Sequence, residues 1–123
     1  MEQELNKAIG TIEPERKESL KPKKVIIESV GFRETKKGRI VRCSVKHPDK
    51  EDTIDISSID YLRDKQVVNS GLWETLDKDG NIQKGCALAV FMMRNGANTI
   101  ADLKGKEVET ELDEKDWLCF KAY

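Results

Sequence analysis

Few residues in this chain have the chemistry to bind or react, and their spacing tests each possibility in turn. The stretch LDKDGNIQKG, running from Leu76 to Gly85, has the look of a calcium loop. With Gly80 at the sixth position of an EF-hand loop, Asp77 and Asp79 fall at the third and fifth. Position one is then Thr75 and position twelve is Cys86, so the carboxylate that supplies two oxygens is missing. Asp-Gly between WETL and NIQK fits a hairpin turn better, because these residues tolerate the positive φ angles a tight turn demands.

The other reactive types form no set. Cys43, Cys86 and Cys119 are odd in number and far apart, with no CxxC pair to hold zinc. Each sits among apolar neighbours, where a free thiol behaves as a small hydrophobe. His47, the single histidine, precedes Pro48 and is expected to be an exposed loop residue with no base to serve. The glycines are scattered, so no phosphate-cradling loop is present. Glu107, Glu109 and Glu111 alternate along one strand face, which is the pattern of a solvated surface. No catalytic group, metal or cofactor is expected from this inventory, and the chain is expected not to be an enzyme.

One group stands out. Arg33, Lys36, Lys37, Arg39, Arg42 and Lys46 lie close together with only Glu34 of opposite sign among them. Cationic side chains on a strand face contact phosphates, and aromatic side chains beside them stack on bases. Trp73 is the aromatic candidate for such a platform, while Trp117 and Tyr123 are further candidates for exposure. The opposing interpretation is that a basic hairpin tip only deters strand edges from pairing.

The totals bound what can surround this group. The chain has 123 residues, enough for one domain with its own core. Charged residues make up 37% but nearly cancel, leaving a net charge of −1 and no global field toward nucleic acid or anionic lipid. The longest apolar run, CALAVFMM, is far short of a membrane span. With no secretory signal pattern and unpaired cysteines, a cytoplasmic protein with no membrane partner is expected.

Residues 1–22 are polar, with Leu5, Ala8, Ile9 and Ile12 at helical spacing, and are expected to form a flexible tail. Residues 23–123 are expected to form a single domain. VIIESVGFR, IVRCSVKH and TIDIS have strand character, with Val41, Cys43 and Val45 on one face and Ile40, Arg42, Ser44 and Lys46 on the other. SIDYLRD has room for one helical turn. VVNSGLWETL and NIQK are expected to pair as an inserted hairpin. CALAVFMMRNG predicts a buried helix stopped by Asn95-Gly96, and Thr99 with Asp102 predicts a capped second helix. That second helix is too short and too apolar to read DNA as a helix-turn-helix would. KEVETEL and WLCFKAY form a last hairpin.

Three antiparallel strands, a helix and two strands is the order of an OB-fold, a five-stranded Greek-key barrel. VIIESVGFRETKKGRIVRCSV and LKGKEVETELDEKDWLCFKAY resemble the first and last hairpins of small OB-fold proteins that bind single-stranded nucleic acid. The resemblance covers residues 24–57 and 98–123, while residues 58–97 depart from it by an added hairpin. It implies a mainly β, OB-like barrel with an inserted hairpin and one or two short helices, whose interior takes Val41, Val45, Ile56, Val108 and Phe120. It further implies a non-catalytic binding domain for single-stranded DNA or RNA on the basic strand face. The alternative is a protein–protein interaction module on the same barrel.

Overall fold

The computed structural model describes residues 20–123. Most of the expected tail, residues 1–19, lies outside them, and with it the Leu5–Ile12 pattern. The described chain is mainly β. Strands β1 (Val25–Thr35), β2 (Gly38–Lys46), β3 (Ile54–Ile56), β4 (Ser58–Arg63) and β5 (Gln66–Gly71) precede helix α1 (Ala87–Arg94) and a short 3-10 helix (Ile100–Leu103). Strands β6 (Glu107–Val108), β7 (Thr110–Leu112) and β8 (Leu118–Ala122) complete it.

The strands form two four-stranded sheets, ordered β3-β2-β1-β6 and β5-β4-β8-β7. All pairs are antiparallel except β4 with β8, where Ile59 lies opposite Phe120 in parallel register. The sheets are not separate layers. β3 runs into β4 with only Ser57 between them, and β6 runs into β7 with only Glu109 between them. The chain therefore passes from one sheet to the other twice, and the arrangement is barrel-like. A bulge in β1 between Ile27 and Ser29 bends the first sheet, the usual effect of one extra residue on one strand.

Alternation explains the interior. Val41, Cys43 and Val45 of β2 are fully buried. Val41, Val45, Ile56, Val108 and Phe120 all belong to one buried cluster, as expected, together with Leu88, Phe91 and Met92 from α1. α1 presses this apolar side onto the barrel, and Phe91 stacks on Phe120 with ring centroids 4.5 Å apart. The predicted capping box is present: Thr99 Oγ1 accepts from the Asp102 N–H, and the Asp102 carboxylate accepts from the Thr99 N–H.

Three local expectations are corrected. SIDYLRD is not a helical turn but strand β4, because Ile59 and Tyr61 face the interior while Asp60 finds a polar partner on the other side. The strand that follows pairs back on β4, not on NIQK. Its turn, Asp64-Lys65, holds both residues at positive φ, 52° and 68°. The Asp-Gly turn does join WETL to NIQK as expected, through the antiparallel bridge of Leu76 with Ile82 and the bonds from the Gln83 N–H to the Thr75 carbonyl and from the Asp77 N–H to the Asn81 carbonyl. There the Asp77 carboxylate accepts from the N–H groups of Asp79 and Asn81, which braces the turn.

His47 is the third correction, since it is buried and not exposed. Its Nδ1 accepts from the Asp49 N–H at 3.0 Å, so Nε2 carries the proton and donates to the Lys21 carbonyl at 2.7 Å. This ties down the chain just before β1.

Candidate nucleic-acid interface

With Val41, Cys43 and Val45 turned inward, Ile40, Arg42, Ser44 and Lys46 must project from the outside of β2. Pairing then fixes their neighbours. Arg33 lies opposite Ile40, Gly31 opposite Arg42, Ser29 opposite Ser44 and Ile26 opposite Lys46. On the other side of β2 the chain after β5 returns: the Val41 N–H donates to the Leu72 carbonyl and the Glu74 N–H to the Arg39 carbonyl. This makes Trp73 the partner of Ile40. Trp73, Ile40 and Arg33 therefore form one row across the outer face, with Arg42 and Gly31 in the next row. Gly31 has open space where a side chain would stand, which leaves a gap in the face between Arg33 and Arg42.

Trp73 is held by close fit. A Cβ at Gly71 would lie 2.8 Å from Ile40 Cδ1 and 2.9 Å from Trp73 Nε1, so only glycine lets the indole lie there. Gly71 in turn pairs with Ser58. Ser58 lines a groove of about 600 Å³ with Val67, Asn69, Asp113, Glu114, Lys115 and Trp117. The face thus continues from Trp73 over Gly71 and Ser58 to Trp117, which is 60% exposed in the β7–β8 turn. Trp117 and Lys115 were missing from the expected set. Trp117 was expected only as a candidate for exposure, and an aromatic residue close to a lysine in the turn DEKDW was the available signal.

The basic group separates into two kinds. Arg33, Lys36 and Lys37 are exposed, and their side chains make no hydrogen bond or ion pair among the described residues. Arg42 is half-exposed and only loosely paired, with Nε 3.9 Å from Asp55 Oδ2, while Ser44 Oγ donates to the same carboxylate at 2.8 Å. Asp55 thus stands beside Arg42 and Ser44 on this face. The other two are engaged in holding the fold. Arg39 grips Glu74 through Nε and Nη2 at 2.9 and 2.8 Å and covers the Phe32 ring at 3.9 Å. Its hydrogen bonds to Glu74 raise its affinity for the proton further. Lys46 Nζ donates to the carbonyls of His47 and Lys50 and closes the turn after β2.

A second polar cluster lies on the outside of the other sheet. The Asn69 amide donates to Asp60 Oδ1 at 2.8 Å, and the Tyr123 hydroxyl donates to Glu111 Oε1 at 2.6 Å. Burial, then the neighbouring Asp60, pushes the Glu111 carboxyl above the usual range. The bond to Glu111 pushes the Tyr123 phenol up to about 12. Burial raises the Cys119 thiol, helped by Asp60, and lifts that of Cys43 to about 12, so neither is a thiolate at neutral pH.

The Glu111 shift has a testable sign. A carboxyl whose folded-state pKa is raised favours the fold while protonated, and this stability is lost as pH rises through the raised value. Glu111→Gln keeps the acceptor for Tyr123 and removes the charge facing Asp60. It is expected to raise Tm at neutral pH and to leave it unchanged at the acid end, where wild-type Glu111 is already neutral. Melting curves across that pH range check this, and parallel curves for the two proteins would contradict it.

The chain matches no protein-family model, no curated protein and no solved structure.

Proposed function

We propose that the two sheets are halves of one OB-type barrel and that it binds single-stranded DNA or RNA across the outer face of β1, β2 and β3. The pairing order supports the barrel. Counting β3 with β4 and β6 with β7 as single bent strands, neighbours run β1, β2, β3–β4, β8, β7–β6 and back to β1. On this reading they make a closed ring of five with Greek-key connections, to which β5 and the 72–86 segment are additions. On such barrels the second and third strands carry the oligonucleotide, and the loops between the first two and last two strands flank it. Lys36 and Lys37 stand in one of these loops, Lys115 and Trp117 in the other.

The observation that carries the proposal is the row of Trp73, Ile40 and Arg33 beside Arg42 and Gly31. It offers an apolar surface for a base, the Arg33 guanidinium, unengaged among the described residues, and the loosely paired Arg42 for phosphates, the two elements of sequence-tolerant single-strand binding. Both are needed, because a net charge of −1 supplies no general attraction. The unpaired thiols accord with a reducing, cytoplasmic setting.

Tryptophan fluorescence, titrated with a mixed-sequence single-stranded oligonucleotide at low and moderate salt, tests this. Quenching that weakens as salt rises is expected, since phosphate contacts release counterions and affinity falls with log salt by about 0.7 per contact. A flat titration at low salt would overturn the proposal and leave the same face to a protein partner.

A further inference from the structure

The two longest stretches of strand without an outer neighbour among the described residues are the far half of β1, residues 29–35, and β5. They are treated very differently. The β1 stretch follows a bulge and contains Gly31, Arg33 and Glu34, all devices that discourage another strand from pairing there. β5, with the sequence QVVNSG, has no charge, no proline and no bulge, in a chain in which 37% of residues are charged.

The pairing of β5 fixes which of its backbone groups are unused. Arg63 and Gln66 flank a two-residue turn and so exchange hydrogen bonds. Alternation then directs the backbone groups of Gln66, Val68 and Ser70 toward β4, and those of Val67 and Asn69 toward the open edge. Leu72, next in this series, donates to Ser57 as the alternation requires. Beside the edge, Leu62 and Val67 are register partners on the outer face, 52% and 48% exposed.

We infer that β5 is the seam of a homodimer, in which two copies of the chain pair their β5 edges in antiparallel fashion. A second copy is the occupant that the lack of charge favours. In two-fold antiparallel pairing each residue near the axis faces itself or its near neighbour in the other copy, and like charges directly opposite destabilise a sheet. A strand that receives a different partner can carry charges matched by opposite ones on that partner, which a strand paired with its own copy near the axis cannot. Pairing also brings the two Leu62–Val67 pairs alongside the new seam and withdraws part of their apolar surface from water.

Sedimentation of the whole chain over micromolar to submillimolar concentrations tests the inference. A concentration-dependent dimer is expected. Val67→Lys places a charge beside the seam and should weaken dimerisation by about tenfold or more, a free-energy change of ~1.4 kcal/mol. Amide exchange at Val67 and Asn69 should slow as wild-type dimer forms, while amides already paired with β4 are unchanged, a readout that does not depend on any variant folding. A monomer at every concentration overturns the inference. So does a dimer in which the Val67 and Asn69 amides stay unprotected, because its seam would lie elsewhere. Nucleic-acid binding is not an input to either measurement, so the two proposals stand or fall separately.

Discussion

Replacing Trp73 by alanine is expected to weaken binding of single-stranded DNA by about 5- to 150-fold while leaving the fold intact. The range follows from the value of one base stacked on one aromatic side chain, about 1–3 kcal/mol. The indole contributes to the outer face and is absent from the buried cluster, so its removal opens no cavity inside the barrel. Binding should be followed by anisotropy of a labelled oligonucleotide, because the substitution removes one of the two tryptophans. Gly71→Ala should reproduce part of the loss, since the added methyl occupies the space of the indole edge and of Ile40 Cδ1. Arg33→Glu combined with Arg42→Glu should abolish binding at moderate salt and flatten the salt dependence of what remains at low salt. Arg39→Ala is the informative contrast. Its guanidinium is already committed to Glu74 and Phe32, so its loss should lower Tm more than affinity. Wild-type affinity in the Trp73 variant would mean that no base stacks there.

The parts of this architecture that were legible in the sequence are those set by local rules. β2 was readable because one face of it is core and the other is solvent, so its period of two survives in IVRCSVK. The Thr99–Asp102 box was readable because cap and partner are three residues apart. β4 was not, because Ile59, Asp60 and Tyr61 are buried in succession, so its period of two is lost at the centre of the strand. Asp60 is only 6% exposed although it is an acid on the outer side, and the polar partner that permits this, Asn69, arrives from another strand. The β4–β5 turn was hidden for a different reason. Asp64-Lys65 adopts positive φ at both positions without a glycine, while Asp79-Gly80 nearby gives the stronger hairpin signal, which is right for WETL and NIQK but extends too far when VVNSG is included. The burial of His47 was not legible because the carbonyl that satisfies its Nε2, that of Lys21, lies far away along the chain.

The same limit applied to the candidate face. Its basic residues were legible as a cluster, but which of them are engaged was not. Arg39 differs from Arg42 only by strand parity and by the return of Glu74 to the edge of β2, and that return is a tertiary event. The alignment of Trp73 with Arg33 has the same origin, since it requires Gly71 and Leu72 to carry the chain back across the face.

Phe120→Ala is expected to destabilise the domain by about 3–5 kcal/mol, against a total of roughly 5–15 kcal/mol for domains in general. Phe120 stands where the parts of the fold meet: it lies opposite Ile59 on β4 and Thr110 on β7, and its ring stacks on Phe91 of α1. Removing the ring leaves a void bounded by three elements, and strands held in register on both sides cannot collapse into it. Urea unfolding should show a markedly lower midpoint with an unchanged slope, the mark of lost stability without a change in the surface exposed. Phe120→Leu fills most of the volume and should cost less than half as much. Phe32→Ala gives the outer comparison. That ring is 39% exposed and its main partner is the Arg39 guanidinium, so its loss should cost about 1 kcal/mol or less. A Phe120→Ala protein no less stable than Phe32→Ala would mean that α1 and the two sheets do not share one interior. The two sheets would then lose the packing that joins them, and the outer face of β1 and β2 would lose its support as well.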